Sequence, residues 1–134
     1  MKQIISFISI ICCISLFSCT AYDIESIENV TTQKPYIDSI CADVEDIDSE
    51  YVSVRLDIEL NIAADYCMAV ISSPSKTSRE WFDYNNNSVY CELLHSDFTI
   101  DSGNKTKSAE LSVSILDKNN IVLDTETVVV TIPK

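Results

Sequence analysis

Between residues 52 and 62, apolar and polar side chains alternate without a miss. Val52, Val54, Leu56, Ile58, Leu60 and Ile62 are separated by Ser53, Arg55, Asp57, Glu59 and Asn61. A period of two puts every second side chain on the same face of a β-strand, whereas a helix would scatter these residues around its circumference. The pattern therefore predicts a strand with one buried and one wet face. Weaker versions flank it. Residues 36–44 follow Pro35 with Ile40, Ala42 and Val44 in alternation, and 45–50 form an acidic connection. Residues 66–71 read as a shorter, more apolar strand. Ser, Pro and Thr make 72–78 a loop. Residues 79–84 fit a short edge strand or one helical turn, and Asn85-Asn86-Asn87 fits a turn. Residues 89–94 form a further strand that extends toward Phe98, and 101–107 a loop around the only glycine, Gly103.

The last segment predicts a hairpin with a definite register. Pairing Asp117 with Ile121 across Lys118-Asn119-Asn120 sets Ile115 opposite Leu123, Val113 opposite Thr125 and Leu111 opposite Thr127. Ser114 with Asp124 and Ser112 with Glu126 then share the polar face. Asn120 falls where a three-residue loop needs a left-handed backbone, which Asn tolerates. A two-residue Asn119-Asn120 turn would set Ile115 against Asp124 and is rejected on that ground. Val128-Val129-Val130 breaks the alternation and predicts a bulge or a segment covered on both faces. Six or seven short strands without a convincing helix indicate an all-β fold, a small antiparallel β-sandwich over residues 35–134. The pattern resembles immunoglobulin-like or fibronectin-like modules in architecture only, since the Cys–Trp–Cys spacing of such domains is absent: Trp81 lies after Cys41 and Cys67 and before Cys91. A small β-barrel is the alternative.

The N-terminus has a different pattern. Met1-Lys2 gives a short positive start, and residues 4–17 are apolar or small with no charge. A helix over that run spans roughly 21 Å, short of the ~30 Å hydrocarbon core. Its length and flanks predict a secretory signal helix. Leu16-Phe17-Ser18-Cys19 resembles the lipobox of bacterial lipoproteins, with Leu three residues before the cysteine and a small residue just before it. The resemblance implies cleavage of residues 1–18, a diacylglycerol thioether on Cys19 and acylation of its new amine. Residues 19–34, polar and acidic, then form a lipidated tether. Thr20 stands where Asp would resemble an inner-membrane retention signal, so the resemblance places the protein in the cell envelope, at the outer membrane in preference to the inner. Several acyl chains on one residue anchor firmly, because each buried methylene contributes ~0.8 kcal/mol.

Composition narrows the partners. The chain's 134 residues carry 21 Asp and Glu against 9 Lys and Arg, a formal net charge of −12. Such a surface repels phosphate backbones and argues against nucleic-acid binding. Of the six cysteines, Cys12 and Cys13 belong to the signal and Cys19 to the lipid. Cys41, Cys67 and Cys91 remain, in no CxxC or zinc spacing. They read as small buried hydrophobes, or else Cys67 and Cys91 bridge neighbouring strands.

Chemistry-bearing residues are few. His95 is the only histidine. Its neighbours Ser96 and Asp97 would point to opposite faces of a strand, which does not suit a Ser–His–Asp arrangement. The carboxylates of 43–50 lack the glycine and spacing of a calcium loop, so no metal or cofactor is expected. Trp81, Phe82 and Tyr84, beside Asn86 and its neighbouring asparagines, form the candidate binding group, since rings stack on sugars or anchor protein partners while amides hydrogen-bond. The competing reading is that Trp81 and Phe82 plug the core or cover a sandwich edge. The expected function is a non-enzymatic, membrane-anchored interaction or structural module, held through lipid on Cys19 and contacting an envelope protein or a glycan. A small envelope hydrolase or hydrolase inhibitor is the alternative.

Overall fold

A computed structural model describes residues 33–100 and 102–134. The signal-like segment, Cys19 and the tether up to residue 32 lie outside the described residues. Within them the chain makes eight strands: β1 (Ile37–Ile47), β2 (Tyr51–Leu60), β3 (Cys67–Ser72), β4 (Thr77–Phe82), β5 (Ser88–Leu94), β6 (Thr99–Ile100), β7 (Thr106–Leu116) and β8 (Val122–Pro133). A single 3-10 turn, His95–Asp97, follows β5.

One antiparallel sheet has the order β1-β2-β5. The other runs β4-β3-β7-β8, with the two-residue β6 sharing β3's side of β7. The hairpins β1–β2, β3–β4 and β7–β8 each stay within a sheet, while the β2–β3, β4–β5 and β5–β6 connections cross between sheets. The result is an all-β sandwich of two antiparallel sheets, not closed into a barrel. The barrel alternative is thereby set aside.

The alternating residues fill the space between the sheets. Val52, Val54, Leu56 and Ile58 of β2 are buried, and Ala69, Ile71, Leu111, Val113 and Ile115 meet them from the second sheet. Each fully buried aliphatic side chain contributes about 1.5–3 kcal/mol. The polar partners of β2 face outward. Arg55 reaches Asp43 and Glu45 of β1, each at 2.8 Å, with Asp57 at 3.4 Å. Those carboxylates, led by Asp57, raise the guanidinium's affinity for its proton.

Several boundaries differ from the expectation. β1 continues through Glu45 and Asp46, and the connection shrinks to a turn that Asp48 organises by accepting the Glu50 and Tyr51 amides at 2.7 and 2.6 Å. Residues 79–84 are no helical turn: β4 starts at Thr77 and ends at Phe82, pairing with β3 along its length.

The β7–β8 hairpin keeps the expected turn and loses the expected register. Asp117 and Ile121 close the three-residue loop through an Asp117 N–H to Ile121 carbonyl bond of 3.0 Å, and Asn120 has φ 61°. Leu116 then pairs with Val122, but Ile115 pairs with Asp124, so Leu123 is an extra residue in β8. This bulge is the correction. The slip sets Val128 opposite Leu111 and Val130 opposite Ala109, and brings Val130 and Ile132 into the core. The unslipped register would have turned Thr127, Val129 and Thr131 inward instead. Val129 itself is exposed and the 128–130 stretch pairs regularly, so neither a bulge nor two-sided cover occurs there.

The slip also turns Asp124 toward β1, which lies against β8. There Asp124 Oδ2 accepts the Ile37 amide at 2.8 Å. On the opposite flank, where β4 lies against β5, Glu80 Oε2 accepts the Tyr90 amide at 2.7 Å. One carboxylate thus ties the two sheets at each open side.

The alternative disulfide is not formed. Cys67 and Cys91 are buried free thiols, and they belong to β3 and β5, strands of different sheets instead of neighbours. Burial pushes both thiols up, Cys91 to about 11, which keeps them protonated and unreactive at neutral pH.

Candidate functional site

The chain enters the sandwich beside the end of β2, where Ile37 pairs with Leu60. Tyr36 and Asn61 fasten this end reciprocally: the Tyr36 amide donates to Asn61 Oδ1 at 2.7 Å and the Asn61 amide to the Tyr36 carbonyl at 3.1 Å. The β2–β3 loop, the β4–β5 loop and the β7–β8 turn gather at the same entry end. The β1–β2 and β3–β4 turns and the 3-10 turn lie at the far end.

The asparagine-rich β4–β5 loop is built by Asp83. Its Oδ1 accepts the amides of Asn85 and Asn86, both at 2.8 Å, and its own N–H reaches the Asn86 carbonyl at 3.2 Å. This side chain mimicking a backbone turn is what Asp does in such loops. The Tyr84 amide donates to the Ala64 carbonyl at 3.2 Å, which pins the loop against the β2–β3 connection. The Tyr84 side chain is left 58% exposed.

Two shallow hollows flank it. One, about 390 Å³, has Ile58, Leu60 and Phe82 as apolar lining and Asp38, Glu59, Asp83 and Asn87 as polar lining. The other, about 400 Å³, lies against Ala63, Ala64, Asp65, Tyr66 and Asn85. Tyr84 and Asp83 belong to both. The first hollow has three carboxylates and no cationic side chain in its lining. Glu59 Oε2 is held by the Ser39 hydroxyl at 2.9 Å. Among the described residues no group of three or more His, Cys, Asp or Glu side chains is placed to hold a metal ion.

The aromatic group of the sequence reading is therefore divided. Phe82, 3% exposed, is core and floors the first hollow; Tyr84 walls both hollows. Trp81 is 51% exposed and belongs to neither. It does not plug the core: it stands on the outer face of the five-stranded sheet, in register with Met68. Asn86 is exposed, shapes the loop through its backbone, and lines neither of these hollows. Asp38, Glu59 and Tyr66 were missed, because the ends of β1 and β2 and the β2–β3 connection meet the β4–β5 loop only in the folded sandwich.

At the far end, His95, Ser96 and Asp97 form a structural turn. His95 Nε2 lies 2.8 Å from the Asp48 carbonyl. Asp97 is 4% exposed, and its Oδ2 accepts the Ser75 hydroxyl at 2.7 Å and the Leu94 amide at 3.1 Å. Those two bonds offset the cost of burying a carboxylate and lock the β3–β4 turn to the end of β5.

No family model, curated protein or solved structure matches this chain.

Proposed function

We propose that this chain is an exported lipoprotein, anchored through Cys19 in the cell envelope, whose sandwich acts without catalysis as an interaction module. The lipobox-like Leu16-Phe17-Ser18-Cys19 supports the anchor. The observation that carries the binding role is Tyr84, a fixed loop residue with an exposed ring that walls two hollows rimmed by carboxylates and amides. A ring beside hydrogen-bonding oxygens and amides suits a hydroxyl-rich glycan or a polar segment of an envelope protein. The turn at His95–Asp97 supports the non-catalytic reading, since Asp97 holds the Ser75 hydroxyl and a backbone amide instead of orienting a histidine.

Affinity capture with the full chain tests it, against envelope extracts and a glycan panel. Retention by the wild type and its loss in Tyr84→Ala, with unchanged melting, support the site. Equal retention by both proteins places the site elsewhere. Turnover of an ester, glycoside or peptide by the purified wild type contradicts the non-catalytic reading.

A further inference from the structure

The outer face of the five-stranded sheet changes character along its length. Over most of it hydroxyls predominate, Ser72 beside Thr77 and Ser112, Ser112 beside Thr127, and Ser114 beside Thr125, interrupted by Val70 beside Arg79 and by Glu110 beside Val129. At the entry end an apolar row crosses the whole sheet instead. Trp81 pairs with Met68, Met68 with Leu116, and Leu116 with Val122. Leu116 is only 7% exposed yet does not belong to the interior core. Trp81, Val122 and the adjoining Ile121 are each more than half exposed. Tyr36, Tyr66 and Tyr84 are exposed at the same end. Single exposed apolar residues need no explanation, but a contiguous row of them marks a contact surface.

We propose that this corner, Met68, Trp81, Leu116, Ile121 and Val122, rests on the membrane interface, so that the sandwich lies against the bilayer instead of hanging free on its tether. The inference rests on the anchored reading above. Its occupant follows from where the chain enters. Only sixteen residues, 19–34, separate Cys19 from the sandwich, which they join at this end, and a stretch of that length reaches at most roughly 53–58 Å. The anchor thus keeps the corner close to lipid, and a weak contact there is reinforced by high effective concentration. Trp and Tyr suit such a position, with an apolar body toward the acyl chains and a polar tip toward water. The chain's negative charge favours neutral headgroups over anionic ones. A bilayer in this position brings the Tyr84 hollows to headgroup level, so their ligand would approach along the membrane surface.

Trp81 is the only tryptophan, so its fluorescence reports on this corner alone. The lipidated full chain is placed in phosphatidylcholine vesicles with or without acyl chains brominated near the headgroup. The expected result is a blue-shifted emission that the brominated lipid quenches. Val122→Glu, a change at an exposed position, and Met68→Glu should abolish both effects while the protein still floats with the vesicles. A wild type that floats but keeps water-like, unquenched emission overturns the contact and leaves the anchor intact. Shielding that tracks protein density and ignores brominated lipid makes the corner a contact between copies, which also overturns it. Protein that fails to float refutes the anchored reading and this inference with it.

Discussion

The amide of Ile37 donates to Asp124 Oδ2 at 2.8 Å, joining two residues 87 positions apart and in different sheets. The bond exists because Leu123 bulges, turning Asp124 inward at the edge where the chain enters. A partly buried hydrogen bond to a charged acceptor contributes about 1.5–3 kcal/mol. Asp124→Ala is expected to lower the unfolding free energy by roughly that amount, read from urea denaturation at neutral pH. Glu80→Ala, which frees the Tyr90 amide at a more exposed edge, should cost less.

The aromatic residues separate by burial. Phe82→Ala removes a core ring and should cost about 3–5 kcal/mol. Trp81→Ala and Tyr84→Ala remove half-exposed rings and should stay within about 1 kcal/mol of the wild type. Chemical denaturation of the three variants checks the order, and a large loss for Tyr84→Ala would make it a packing residue.

Much of the fold was legible because it depends on local alternation. The alternation that begins at Val52 becomes β2 as far as Leu60, with Val52, Val54, Leu56 and Ile58 inward and Ile62 left beyond the strand, and the Asp117–Ile121 turn forms with Asn120 in the left-handed region. Register was not legible beyond that turn. A polar residue opposite Ile115 looks unfavourable locally. What overrides it lies farther along β8, where one bulged residue admits Val130 and Ile132 to the core. The Ile37 amide that compensates Asp124 is a partner no local pattern reveals. Of the residues lining the candidate site, only Phe82 and Tyr84 were legible. Alternation is uninformative at strand ends, so Trp81 and Phe82 were not separable into surface and core until β4 acquired its pairing with β3.

The three sandwich thiols should differ in reactivity. Cys41 is exposed on β1, whereas Cys67 and Cys91 are buried and burial raises both. Brief alkylation of the native protein followed by peptide mapping should label Cys41 first, with the other two modified only after denaturation. A Cys67–Cys91 disulfide peptide from unreduced protein would contradict this arrangement.

The β1–β2 turn should carry an acid-sensitive contribution. Amides of Tyr51 and Glu50 hold the exposed Asp48 carboxyl below its ordinary value of 3.8, with a further contribution from His95. A carboxyl depressed in the folded state stabilises in full above its unfolded value, and that stabilisation is lost as pH falls through the folded one. Wild-type stability should therefore decline below about pH 4 more steeply than that of Asp48→Asn, in thermal melts taken from pH 5 down to pH 2.

Intact-mass and peptide analysis of the protein isolated from membranes tests the anchoring most directly. The account predicts a mature N-terminus at Cys19 bearing a diacylglyceryl thioether and an acylated amine. A free Cys19 thiol, or a mature chain that begins elsewhere, would contradict it.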